Sequence, residues 1–112
     1  MKRKVITEAN VLKAIRDYLD AKGVVYIRNN SGAVVGEHKG KKRFFRFGSP
    51  GSADLIGCSS SGRFWACEVK APGKKATKEQ MEWLVNVRIN DGYSIWVDNV
   101  DGFINWFENW VK

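Results

Sequence analysis

Apolar residues along the chain fall in short blocks whose period switches between helical and alternating. Thr7 reads as a helix N-cap, with Ile6 and Val11 placed as a hydrophobic staple. Val11, Leu12, Ile15, Tyr18 and Leu19 then recur at helical spacing until Gly23 stops the run. Residues 24–28 read as a strand, and Asn29-Asn30-Ser31-Gly32 as a turn into Ala33-Val34-Val35 and a Gly/Lys-rich loop or hairpin. Residues 44–47 form a further candidate strand. After the turn-rich Gly48-Ser49-Pro50-Gly51-Ser52, residues 53–58 and 63–70 flank Ser59-Ser60-Ser61-Gly62 and predict a β-hairpin.

A break at Ala71-Pro72-Gly73-Lys74-Lys75 precedes a second helix that starts at Thr77, carries Met81, Leu84, Val85 and Ile89, and ends at Asp91-Gly92. Residues 93–97 alternate as a short aromatic strand. A last helix, about 100–111, carries Phe103, Phe107 and Trp110. The order, roughly α-β-β-β-α-β-α, predicts an α/β fold with a mixed central sheet flanked by helices.

At 112 residues the chain has the size of one domain, residues 1–112. With 44% apolar residues and 5 Trp, 6 Phe and 3 Tyr it can build a core, so disorder is excluded as the main reading. No apolar run approaches a membrane span, and Lys2, Arg3 and Lys4 lack the apolar stretch that follows them in a secretory signal, so a soluble intracellular protein is expected. Cys58 and Cys67 form no CxxC pair and read as reduced, packed thiols. His38 is the single histidine, so chemistry that needs two is excluded.

Charge changes the picture more than composition does. Nineteen Lys and Arg against twelve Asp and Glu give +7, and 18 of the 19 basic residues precede residue 91. They concentrate in Lys39, Lys41, Lys42, Arg43 and Arg46 and again in Lys70, Lys74, Lys75 and Lys78, which favours a polyanionic partner. Phe44, Phe45 and Phe47 sit among the first group, where core packing is the safer expectation than stacking on bases. On the last helix, Trp106 and Trp110 with Phe103 and Phe107 exceed one core stripe and point to a subunit interface.

The candidate chemistry lies in the predicted hairpin. Alternation puts Trp65, Cys67 and Val69 on one face and Phe64, Ala66, Glu68 and Lys70 on the other. Charges on a partly apolar face need compensation. The start of the first hairpin strand lies beside the end of the second, so Asp54 can converge on Glu68. A divalent cation with oxygen ligands relieves the repulsion of two such carboxylates, and the Val69 carbonyl offers a third ligand. Lys70 is then placed to orient or deprotonate a water, or to stabilise charge on a phosphoryl oxygen.

The ordered set Gly48-Ser49-Pro50-Gly51-Ser52-Ala53-Asp54, Glu68-Val69-Lys70-Ala71-Pro72-Gly73 and Thr77-Lys78-Glu79-Gln80 resembles the PD-(D/E)xK nuclease superfamily, and within it the VRR-NUC (virus-type replication-repair nuclease) domain of stand-alone phage-type members. Ala53 stands where that family often has proline, with Pro50 upstream.

The resemblance spans essentially the whole chain. It implies a restriction-endonuclease-like αβββαβ core with an extra C-terminal helix, and a Mg²⁺ site, with Mn²⁺ as a substitute, held by Asp54, Glu68 and Val69. It further implies Lys70, Gln80 and Glu8 as catalytic residues beside those two acids. Thr77 and Gln80 equally spell a capping box, and Glu8 suits a helix N-terminus by charge alone. Lys41, Lys42, Arg43, Arg46, Lys74, Lys75 and Lys78 become the expected DNA-binding residues. The activity expected is that of a homodimeric structure-selective DNA endonuclease, foremost a Holliday-junction resolvase in the host cytoplasm near the nucleoid. A flap or duplex nuclease of the same fold, or a non-catalytic basic nucleic-acid-binding module, are the alternatives.

Overall fold

The computed structural model describes residues 5–29, 33–38, 40–46 and 49–112, with 33–38 and 41–46 described by their backbone alone. Helix α1 (Glu8–Ala21) starts where Thr7 Oγ1 accepts the Asn10 N–H at 3.1 Å while Asn10 Oδ1 accepts the Thr7 N–H at 2.9 Å. Val11, Ile15 and Leu19, four residues apart, are its buried stripe. The helix closes at Gly23, whose φ of +66° lies in the left-handed region that costs glycine least.

Strand β1 (Val25–Arg28) follows, and β4 (Leu55–Cys58), β5 (Phe64–Val69) and β6 (Tyr93–Val97) complete a four-stranded sheet in the order β1-β4-β5-β6. The pairs β1·β4 and β4·β5 are antiparallel and β5·β6 is parallel. The parallel pair requires a crossover, which α2 (Lys78–Ile89) supplies. Between β1 and β4 the chain forms a separate antiparallel ribbon, β2 (Ala33–His38) with β3 (Lys41–Arg46). The fold is therefore mixed α/β, with a mixed sheet between helices. The ribbon is longer than the expected strand at 33–35, because Gly40 at φ +75° lets the backbone reverse tightly between the two strands.

The larger core lies between the sheet and α1 with α3 (Val100–Trp106). Leu55, Trp65, Cys67, Val69 and Val97 meet Val11, Ile15, Leu19, Phe103 and Phe107 there. Trp65 is fully buried, with ring centroids 6.0 Å from Phe103 and 5.7 Å from Phe107, and Phe103 stacks on Phe107 at 5.6 Å. Trp106 joins this cluster edge-on at 6.4 Å from Trp65. The chain then widens into a π-helical turn (Phe107–Val111), on which Trp110 is exposed. The aromatic surplus expected on this helix is thus mostly core, and Trp110 is what remains of it.

The opposite sheet face carries a smaller cluster of Ala53, Ala66 and Leu84, with Ile56, Trp83, Val87 and Trp96 packed around it. Here the expected inward stripe of α2 is corrected. Leu84 is buried, but Met81, Val85 and Ile89 are exposed. Two apolar stripes compete on this helix, and polar contacts choose between them: Arg88 donates from Nε to Ser94 O at 3.1 Å, and Ser94 Oγ donates to Leu84 O at 2.6 Å. Cys58 is likewise exposed rather than packed, while Cys67 is buried, and both are free thiols. No helix among the described residues is long and apolar enough to cross a membrane.

Gly57 is the most crowded glycine among the described residues. A Cβ there would stand 2.5 Å from Val25 O and 2.6 Å from the Trp65 ring. Backbone on one side and a locked indole on the other cannot both yield. Gly57→Ala is expected to destabilise the fold by about 1–3 kcal/mol through overpacking, read as a lower urea midpoint at unchanged m-value.

Candidate active site

The hairpin register decides where the acids go. Leu55 pairs with Cys67 and Ile56 with Ala66, so one step further out Asp54 stands opposite Glu68. On the β1 side, Arg28 pairs with Leu55, which sets Asn29 opposite Asp54. On the β6 side, Glu68 pairs with Trp96. Ile27, Ile56, Ala66 and Ser94 make one transverse row, and Asn29, Asp54, Glu68 and Trp96 make the next. The acids therefore lie on the α2 face, at the sheet end where apolar packing gives way to polar groups.

Asp54 is fixed by the strand beside it, its Oδ2 accepting the Val69 N–H at 2.8 Å. Glu68 is only 4% exposed. Burial pushes its carboxyl up to about 9, and the hydrogen bond to Asp54 and the negative charge of Asp54 push the same way. Lys70 opposes this shift, and Glu8 adds a last, small upward push. The metal-free pair thus holds a proton more tightly than an isolated carboxylate does. Beneath them, burial first and then the charges of Asp54 and Glu68 hold the Cys67 thiol well above its ordinary range, so it is an inert core group.

Asp54, Glu68 and Val69 are brought together, and Lys70 and Glu8 lie close enough to act on the Glu68 charge. Lys70 is half-buried just beyond β5, its N–H donating to Val97 O at 2.8 Å, whereas Glu8 is exposed on the first turn of α1. Gln80 is differently engaged. Its Oε1 accepts the Thr77 N–H at 2.9 Å and its own N–H donates to Thr77 Oγ1 at 3.2 Å, the reciprocal capping box. It makes no hydrogen bond to either acid among the described residues.

The first turn of α2 packs on the turn that precedes Asp54, where a Cβ on Gly51 would meet Glu79 Cγ and Glu79 O at 2.9 Å. Lys74, Lys75 and Lys78 are exposed around the start of α2. Their loop is tethered by the Gly73 N–H, which donates to Asp98 Oδ2 at 3.0 Å. This bond, with one from Asn99, holds the Asp98 carboxyl below the usual carboxylate range. The side chains of Lys41, Lys42, Arg43 and Arg46, and those of Phe44, Phe45 and Phe47, lie outside the described residues.

Two residues with a structural claim on the site escaped the sequence reading. Asp98 pins the lysine loop, and Asn29 pins the turn before Asp54 through Nδ2, which donates to Ser52 Oγ at 2.8 Å and Ala53 O at 2.9 Å. Asn29 opens an Asn-Asn-Ser-Gly run that reads as a turn; only the β1·β4 register would have placed it opposite Asp54.

The donor set suits a hard divalent cation. Two adjacent carboxylates, one of them holding a proton because burial disfavours its charge, are relieved by a cation with oxygen ligands. No three His, Cys, Asp or Glu side chains converge as a ready-made metal cage among the described residues. A site here would thus draw on Asp54, Glu68, main-chain oxygen and water, the mode in which Mg²⁺ is commonly held. Compared with known proteins, the chain matches no family model and no curated protein.

The raised Glu68 carboxyl makes stability pH-dependent. Its folded value of about 9 stands above the unfolded 4.5, so folding takes up a proton between those values. That contribution is fully present below pH 4.5 and is lost as pH rises towards 9. In chelator, the melting temperature of wild type relative to Glu68→Gln is expected to fall steadily from pH 5 to pH 9, as scanning calorimetry of the two proteins side by side would record.

Proposed function

We propose that the protein is a metal-dependent, structure-selective DNA endonuclease of the PD-(D/E)xK superfamily and VRR-NUC type, resolving four-way junctions as an intracellular homodimer. The observation that carries this reading is the convergence of Asp54 and Glu68 on one sheet face, with Lys70 next to them. With the ribbon set aside, the sheet and its helices run α1-β1-β4-β5-α2-β6, which supports a restriction-endonuclease-like αβββαβ core followed by the C-terminal helix.

Asp54, Glu68 and the Val69 carbonyl would hold Mg²⁺, or Mn²⁺ in its place. The cation supplies charge for a phosphate oxygen and a lowered pKa for a bound water. The chain does the rest. Glu68 must give up its proton to become a ligand, so metal loading is favoured by rising pH. Lys70 orients the attacking water or takes its proton, or steadies charge on the phosphoryl oxygens. Hydrolysis in line with the 3′ oxygen leaves 5′-phosphate and 3′-hydroxyl ends. Glu8 adjusts the charge balance from α1. Gln80 shapes the start of α2 through its cap.

DNA is held by its phosphates. Lys74, Lys75 and Lys78 are exposed in the loop after Lys70 and at the start of α2, and Lys41, Lys42, Arg43 and Arg46 belong to the strand of the ribbon that leads back to Asp54. Binding of this kind releases counterions and weakens with salt. A two-fold junction is matched by a two-fold pair of subunits, for which exposed Trp110, Met81, Val85 and Ile89 supply apolar surface.

With Mg²⁺, cleavage of a four-way junction is expected to exceed that of a flap or linear duplex, with none in EDTA. Glu68→Ala should abolish cleavage while junction binding persists, and Lys70→Ala should slow it by about 10²–10⁴-fold. Full turnover by Glu68→Ala would refute the enzyme. Preference for the flap or duplex would move the substrate and leave the chemistry.

A further inference from the structure

The turn that delivers Asp54 is tied down from outside its own strand. Asn29, half-buried just past the end of β1, reaches it in three ways. Its main-chain N–H donates to Asp54 O at 2.7 Å, and its Nδ2 donates to Ser52 Oγ at 2.8 Å and Ala53 O at 2.9 Å. Ser52 is 3% exposed and Ala53 is fully buried, so water cannot readily replace these bonds. Ser52 Oγ spends its own proton on Ser49 O at 2.6 Å and is left as an acceptor towards Asn29. The position therefore faces two acceptors and requires a donor. An ionised carboxylate of the same shape would have no proton for either.

We infer that Asn29 is a positioning residue for the metal-binding acid: it fixes the main chain of residues 52–54 so that the Asp54 carboxylate stands at the Val69 N–H beside Glu68. The inference rests on the proposed function and deepens it, since Asn29 touches no reacting atom and acts only through Asp54. Partners that orient a ligand in this way commonly influence metal affinity as strongly as a ligand's own chemistry. The same residue stands where the chain leaves the sheet for the ribbon, so the acid is braced at the root of that excursion.

Mn²⁺ affinity measured by electron paramagnetic resonance on wild type, Asn29→Ala, Asn29→Asp, Ser52→Ala and Asp54→Ala tests this, with urea unfolding of each. Both Asn29 variants are expected to bind Mn²⁺ about 10–100-fold more weakly. They should also need correspondingly more Mg²⁺ for half-maximal cleavage, while the rate at saturating Mg²⁺ changes less. Ser52→Ala, which removes one of the two acceptors, should lose less affinity than either. Unchanged Mn²⁺ affinity in Asn29 variants that are merely less stable makes the residue structural and overturns the inference. If neither Asn29 variant folds, Ser52→Ala decides in the same way. Equal Mn²⁺ binding by wild type and Asp54→Ala removes the metal site itself, which sinks the functional reading and the inference with it.

Discussion

The hydrogen bond from the Val69 N–H to Asp54 Oδ2 is the contact on which the pairing of the two acids, and with it the proposed function, depends. It extends the β4·β5 ladder by a side chain where the backbone of β4 has already turned away. Without it, Asp54 would be one more acid on a polar turn. With it, a second carboxylate is held against Glu68 on a face with too little water to hydrate both charges, and the raised Glu68 carboxyl records the tension. Such an arrangement is poor for stability and suited to a cation.

The scaffold absorbs that tension because the opposite face is closely packed. Trp65, Cys67 and Val69 alternate with Ala66 and Glu68 on the same strand, so the strand that offers the acid on one side is buried against α1 and α3 on the other. The stacked Phe103 and Phe107 and the edge-on Trp106 hold Trp65 from one side, and Gly57 gives it room from another. A strand fixed in this way cannot slip its register, and a slip of one residue would turn Glu68 into the core and Val69 out of it.

Much of this was legible in the sequence, and what was not has identifiable causes. The hairpin at 53–70 could be read because alternation and a Ser/Gly turn agree there, and with it the pairing of Asp54 with Glu68. The caps at Thr7 and Thr77 follow from local chemistry alone. The face of α2 could not be read, because Met81-Val85-Ile89 and Trp83-Leu84-Val87 are both acceptable helical stripes and the choice falls to Arg88 and Ser94, a contact between elements. Cys58 is the last residue of β4, next to the Ser-Gly turn, and its exposure there is not encoded in the local pattern. Asn29 was hidden because its role is set by a pairing between strands separated by the whole ribbon.

That separation has a consequence for how such a protein can change. Arg28 and Leu55 are register partners, so the two roots of the ribbon stand side by side although 26 residues of chain lie between them. A segment that leaves and re-enters a sheet at neighbouring points can lengthen, shorten or change its charge without shifting the strands it joins. Length and charge of the ribbon are in that sense decoupled from the sheet: the appendage can be refitted while the floor that carries Asp54 and Glu68 stays as it is.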